Sequence, residues 1–232
     1  MALFPQFRRF GGTDTIRKEW QIDGVLREAL VALPPKTAGA PLIFAFHGHG
    51  GTAGFAARRW RLHTLWPEAI VVCPQGMPTV TPRDLAGTRS GWQMLDLTAK
   101  PNRDLRFFDA LLETARKEWK CDAKRLYVTG HSNGGGFTYY LWGQKPTLFA
   151  ALAPVSGGGE RLIRDAKPCP LLVIGAKNDP IVSWDTQQRA IEAAKKVNGS
   201  RAPVEVSLHD GGHTYPDDAP EKIIAFFRKH HR

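Results

Sequence analysis

A serine, an aspartate and a histidine, each placed after a strand-like run, are the residues of this sequence best suited to chemistry. Ser132 sits in Gly130-His131-Ser132-Asn133-Gly134, behind Arg125-Leu126-Tyr127-Val128-Thr129 and ahead of a stretch that can continue as a helix to Trp142. A serine at a tight strand-to-helix turn is held in a strained conformation that exposes its hydroxyl, and the flanking glycines let backbone pass close by. The helix start behind it adds N–H groups and positive potential suited to a developing oxyanion. Asp179 follows the run Pro170 to Ala176, and His213 follows Val204 to Leu208. In such a set the serine attacks a carbonyl, the histidine takes and returns the proton, and the aspartate fixes the imidazole tautomer.

An oxyanion needs two N–H donors. The backbone of Asn133, directly after the serine, is one candidate. The other belongs to His47-Gly48-His49-Gly50-Gly51, where the backbone of His49 is favoured and Gly48 is the alternative. Trp92, Trp184 and His131 are candidates for lining a substrate pocket, although either tryptophan can equally be a packed aromatic. Asp210 and Asp185 are alternative acids. Asp210 stands too near His213 to have its own strand end, and Asp185 opens a predicted helix as a cap would. His63 and His209 read as surface or core residues. His47 and His49 form a pair that could ligate zinc, but Gly50-Gly51-Thr52 follow instead of further ligands, so no metal site is predicted.

These residues need elements that bring strand ends together. Ile16 to Ile22 and Val25 to Leu33 flank Asp23-Gly24, a two-residue hairpin signal that predicts an antiparallel start to the sheet. Leu42 to Phe46, Ala69 to Cys73, Phe149 to Ser156 and Pro170 to Ala176 are apolar runs of the kind that parallel strands buried on both faces require. Helical spacing marks Asp104 to Lys120, a stretch within Gly54 to Leu65, Asp185 to Val197 and Ala219 to Lys229. The alternation predicts a mostly parallel sheet with helices on both faces in one domain spanning residues 1–232. Ligands of such sheets bind outside the carboxyl ends of the strands, where all three candidates fall. The irregular stretch 75–103 is expected to form a loop over that site.

The chain has 232 residues, 42% hydrophobic and 23% charged, as a globular domain requires. No apolar run approaches a membrane span, and the first ten residues lack the order of a signal peptide. The net charge of +10 is scattered, without the basic stripe of a nucleic-acid groove. Cys73, Cys121 and Cys169 show no metal spacing, and their odd number argues against a disulfide framework.

With these residues in view, the chain resembles the α/β-hydrolases that include polyhydroxybutyrate depolymerases, feruloyl esterases and LpqC-type esterases. The matching stretches are Pro41 to Gly51, Val72 to Gly76, Asp104 to Lys120, Arg125 to Gly136, Asn178-Asp179-Pro180-Ile181-Val182 and Gly211-Gly212-His213-Thr214-Tyr215-Pro216. The resemblance implies an α/β-hydrolase fold, a Ser132–His213–Asp179 triad and hydrolysis of feruloyl, aryl or short polyester substrates without a cofactor. It differs from many relatives in carrying His49 in the oxyanion block. A peptidase or thioesterase on the same fold, or a binding module that has lost catalysis, are the alternatives.

Overall fold

The computed structural model describes residues 15–94 and 102–232. Strands β1 (Ile16–Ile22) and β2 (Val25–Ala32) form the expected hairpin. Asp23 and Gly24 take φ of 51° and 78°, the left-handed pair that a tight hairpin turn needs. Then come β3 (Leu42–Phe46), α1 (Ala53–Trp60), α2 (Leu62–Leu65), β4 (Ile70–Pro74) and the two-residue strands β5 (Met77–Pro78) and β6 (Ser90–Gly91). The second half holds α3 (Arg103–Lys117), β7 (Leu126–His131), α4 (Asn133–Gln144), β8 (Ala151–Val155), β9 (Leu171–Gly175), α5 (Trp184–Asn198), β10 (Val204–Leu208) and α6 (Ala219–Phe227).

Eight strands make one sheet in the order β1-β2-β4-β3-β7-β8-β9-β10. β1 and β2 are antiparallel to their neighbours, and the strands from β4 to β10 run parallel. The apolar runs alternate between two cores, as the period of two in a strand demands. Leu42, Phe44 and Phe46 face the layer of α3, α4 and α5, whereas Ile43 and Ala45 face α1, α2 and α6.

The single helix expected within Gly54–Leu65 is two helices. Arg61 takes a left-handed φ of 47° between them. Trp60 and Leu62 are both buried, yet two positions apart they would lie on nearly opposite sides of a continuous helix. The break lets both side chains enter the core.

The stretch 75–103 is more ordered than its composition suggests, although residues 95–101 lie outside the described residues. β5 and β6 pair, and Thr81 bridges Asp84 within the segment they enclose. That segment is bonded to both sides of the serine's neighbourhood.

Candidate active site

Ser132 stands between β7 and α4 with φ 55° and ψ −114°, a strained conformation for a residue with a side chain. Its N–H donates to Val155 O at 2.8 Å, which fixes the turn to the end of β8. The glycines on either side are required by space. A Cβ on Gly134 would overlap Phe46 O, and one on Gly130 would overlap Gly134 O. The sharp turn therefore exists because β3, β7 and α4 approach backbone to backbone.

His213 Nε2 lies 2.8 Å from Ser132 Oγ, and its Nδ1 lies 2.8 Å from Asp179 Oδ2 and 3.0 Å from Oδ1. The three sequence candidates are thus one hydrogen-bonded chain drawn from the ends of β7, β9 and β10. Asp179 is acceptor-only, so Nδ1 carries the proton and Nε2 presents its lone pair to the serine hydroxyl. The Asp179 side chain is fully buried and saturated. Its Oδ1 accepts from the N–H groups of Ile181 (2.8 Å) and Val182 (2.9 Å), and Oδ2 accepts from Gln187 Nε2 (3.2 Å). The alternative acids lie elsewhere. Asp210 is exposed and offers its backbone carbonyl to Asn178, and Asp185 pairs with Arg189 on the surface of α5.

The loop after β3 runs against the elbow. A Cβ on Gly48 would sit 3.4 Å from Ser132 Cβ. Within this block the N–H of Gly50 donates to Ser90 O and that of Gly51 to Gly48 O. The amides of His49 and Gly48 are therefore its candidates for an oxyanion. The Asn133 N–H belongs to the first turn of α4, where a helix has no internal acceptors for its amides. The His49 side chain is mostly buried beside Gly91, with Nε2 3.1 Å from Asp84 Oδ2.

His47, the other member of the His-x-His pair, is fully enclosed. Its Nδ1 donates to Gly48 O at 2.8 Å, and Nε2 accepts from Gly76 N–H at 3.0 Å. Both nitrogens are occupied in bracing the loop after β3 against the end of β4. Burial pushes this imidazole down to about 4, because charging it forfeits hydration, and its second proton would face the Gly76 donor. An imidazole whose pKa drops on folding gains a proton on unfolding. Its contribution to stability is full above the ordinary value of 6.5 and is lost as pH falls towards 4. His47→Gln can keep an acceptor for Gly76 but cannot titrate. In urea unfolding between pH 6.5 and 4, this variant should show a slope of stability against pH shallower by up to about 1.4 kcal/mol per unit. An unchanged slope would remove His47 from the acid response.

The pocket candidates fare differently. Trp92 is 1% exposed and is corrected to a core residue. Its ring packs between Phe46 and Phe137, and its Nε1 donates to His47 O at 2.8 Å. An indole in a loop finds its partners below the loop when an aromatic cluster and a bare carbonyl lie there. Trp184 is half-buried at the start of α5, against Gly175 and the core. His131 packs its ring 5.0 Å from that of His213 and edge-on to Tyr215, behind the histidine. Enclosure, with His213 facing it, pushes its imidazole down to about 4.

Four polar residues escaped sequence reasoning. Gln187 is fully buried on α5 and binds Asp179 and Val182 O. Its signal was present as a glutamine within the apolar stripe 187, 190, 191 and 194. Asp84 holds His49 and the Arg89 N–H. Arg83 donates to the carbonyls of Pro180 and Ile181 beside the acid. Gln75 braces Ala53 N–H at the start of α1 through its Oε1. None of the last three has a periodicity to betray it.

A sequence profile of the Dienelactone hydrolase family matches residues 71–227, which include all three members of the hydrogen-bonded chain. The chain belongs to the dienelactone hydrolase family. This family member is 27% identical over 177 residues to a bifunctional acetylxylan esterase/xylanase of Neocallimastix patriciarum, with 73% of this chain and 24% of that protein covered. It is 25% identical over 210 residues to a probable feruloyl esterase C of Aspergillus niger, with 77% and 71% covered. It thus spans about a quarter of the length of the first relative. Among solved structures, an S-formylglutathione hydrolase from Agrobacterium tumefaciens superposes with a TM-score of 0.74 at 16% identity, over 94% of this chain and 96% of the other. The sheet order and this likeness make the fold that of an α/β-hydrolase.

Proposed function

We propose that this dienelactone hydrolase family member is a serine carboxylic-ester hydrolase that works through an acyl-enzyme on Ser132. Ser132 Oγ attacks the ester carbonyl carbon while its proton passes to His213 Nε2. The oxyanion is received by the amides of Asn133 and of His49 or Gly48. The C–O bond to the alcohol breaks as Nε2 returns the proton to the departing oxygen. Water then attacks the acyl carbon, giving a proton to His213, and collapse restores the Ser132 hydroxyl and releases the acid. Asp179 holds the tautomer throughout. The three side chains, the ester and water supply every proton and bond in this scheme.

The observation that carries the reading is the unbroken chain from Asp179 through His213 to Ser132, with 2.8 Å at both His213 links. Feruloyl or other aryl esters and short polyesters are the favoured substrates. The names of the acetylxylan and feruloyl esterase relatives support an ester. The segment whose Arg83 holds the Ile181 turn also carries exposed apolar side chains, Val80 and Leu85 (81% exposed). Such a rim suits the apolar part of a substrate.

A hydrolysis panel tests the proposal: methyl ferulate, hydroxybutyrate oligomers, p-nitrophenyl esters of graded chain length, an acyl thioester and a peptide. It runs alongside fluorophosphonate labelling mapped by mass spectrometry. The expected result is label on Ser132 and turnover of the aryl or short-chain esters. Label on another residue, or cleavage of the peptide alone, overturns the reading.

A further inference from the structure

We infer that the buried Arg27–Asp104 ion pair is a positioning device for the oxyanion donor Asn133, acting through the backbone of Trp92 and Gln93. The inference rests on the esterase reading above and adds to it residues remote from the triad.

The links are short contacts between named groups. Arg27 on β2 and Asp104 on α3 are 3% and 1% exposed, and Arg27 Nη2 donates to Asp104 Oδ1 at 2.7 Å. The other oxygen, Oδ2, accepts from the N–H of Gln93 at 2.8 Å, with the Arg103 guanidinium 3.5 Å away. The Gln93 carbonyl accepts from Asn102 Nδ2 at 2.7 Å, so both backbone polar groups of Gln93 are fixed at the start of α3. One residue earlier, the Trp92 N–H donates to Asn133 Oδ1 at 2.7 Å, and Asn133 Nδ2 donates to Trp92 O at 3.3 Å. The Asn133 side chain is thus clasped by one residue of the loop. Its own backbone N–H follows Ser132 directly. The ion pair also reaches the start of the loop, since Arg27 Nη2 lies 3.4 Å from Gln75 O, and its guanidinium stacks over Phe107 at 4.2 Å.

The physical case turns on what a buried ion pair does. Its attraction is largely offset by lost hydration, so it adds little stability that a packed apolar pair could not. What it adds is direction. A carboxylate with one oxygen tied to Arg27 has its other oxygen aimed at a single peptide N–H, and that peptide sets where Asn133 sits. Oxyanion donors act through placement, and a misplacement of about 1 Å at such a site lowers rate roughly 100-fold.

The test uses the full chain and four variants: Asp104→Asn, Arg27→Met with Asp104→Leu, Asn133→Ala, and Asp104→Asn with Asn133→Ala. The Met/Leu pair keeps the volume apolar and should preserve the melting temperature while removing the acceptor for Gln93. It therefore remains informative if Asp104→Asn fails to fold. Three readouts are needed: kcat/KM for p-nitrophenyl acetate, its pH profile, and the affinity of a trifluoromethyl ketone, whose adduct on the serine carries an oxyanion. The expected result is a fall of roughly 10- to 100-fold in both rate and ketone affinity, with an unmoved pH profile because the triad is untouched. Asp104→Asn should add less than about twofold once Asn133 is alanine. Full activity in a stable Met/Leu variant overturns the inference, and so does a multiplicative double variant. Fluorophosphonate label separates the two levels. A wild type unlabelled at Ser132 overturns the esterase reading and this inference together. A labelled wild type with indifferent variants overturns this inference alone.

Discussion

Ser132→Ala is expected to lower kcat for p-nitrophenyl acetate about a million-fold, while the protein keeps its fold. The magnitude follows from what the hydroxyl does. It forms the acyl bond, and without it His213 has no proton to take and Asp179 no imidazolium to stabilise. Whatever remains comes from ester binding and the oxyanion amides, which act on water far less effectively. The fold should survive because the elbow is held by the backbone. The Ser132 N–H bond to Val155 O and the Gly136 N–H bond to Ser132 O do not use the side chain. The strained φ of 55° is as open to alanine as to serine. A melting temperature within a few degrees of the wild type, with fluorophosphonate label abolished, would separate lost chemistry from lost structure. Turnover near the wild-type rate would place the nucleophile elsewhere.

The three residues of the hydrogen-bonded chain and the sheet were legible because their signals are local. Each apolar run of five to eight residues announces a buried strand, and the end of each parallel strand fixes where a catalytic side chain can stand. The Gly-x-Ser-x-Gly pattern carries its own geometry. Gly134 is glycine because Phe46 O occupies the place of a Cβ, so the need for β3 to pass the elbow was written in residue 134. The supporting residues were not legible, because their reasons lie in distant partners. Asp104 reads locally as an acid favoured at a helix start, and only β2 reveals Arg27. Trp92 reads equally as a pocket residue or a packed aromatic until the carbonyl of His47 is seen beneath it. Arg83 and Asp84 are adjacent, yet one holds the acid turn and the other His49, so this segment spans the site by contacts that leave no periodic trace.

That pattern gives the site two kinds of support. Asp179, and His213 through it, are held from the side of α5, where Gln187 and the amides of residues 181 and 182 enclose the carboxylate. The side of Asn133 and the loop after β3, proposed to receive the oxyanion, is held by residues 75–94, through His47, Asp84 and the Trp92 peptide. Apart from Arg83, which ties the 75–94 segment to the turn beside Asp179, a change on one side should leave the other intact. Lesions near α5 should act on proton transfer, and lesions in the 75–94 segment on the oxyanion and on which acyl groups fit.

Asp179→Asn gives the sharpest case on the first side. It is expected to lower kcat about 10,000-fold with little change in substrate binding. The direction of the amide can be worked out from the carboxylate's partners. Oδ1 accepts from the N–H groups of Ile181 and Val182, so the asparagine oxygen must take that place, since an amide nitrogen there would meet two donors. The asparagine nitrogen then faces His213 Nδ1 and Gln187 Nε2, where Oδ2 had been. The asparagine oxygen, 3.0 Å from Nδ1, already spends its two lone pairs on the amides, so the nitrogen as a donor turns Nδ1 into an acceptor and moves the imidazole proton to Nε2. That proton now points at Ser132 Oγ, and the histidine can no longer take the serine's proton. The same nitrogen opposes the Gln187 amide, donor against donor, and a buried clash of that kind destabilises by about 1–3 kcal/mol. Adding Gln187→Leu removes the opposing donor. It should recover part of the lost stability while leaving kcat low, because the tautomer is still wrong. A recovery of kcat along with stability would show that the acid acts through packing and not through the proton it fixes.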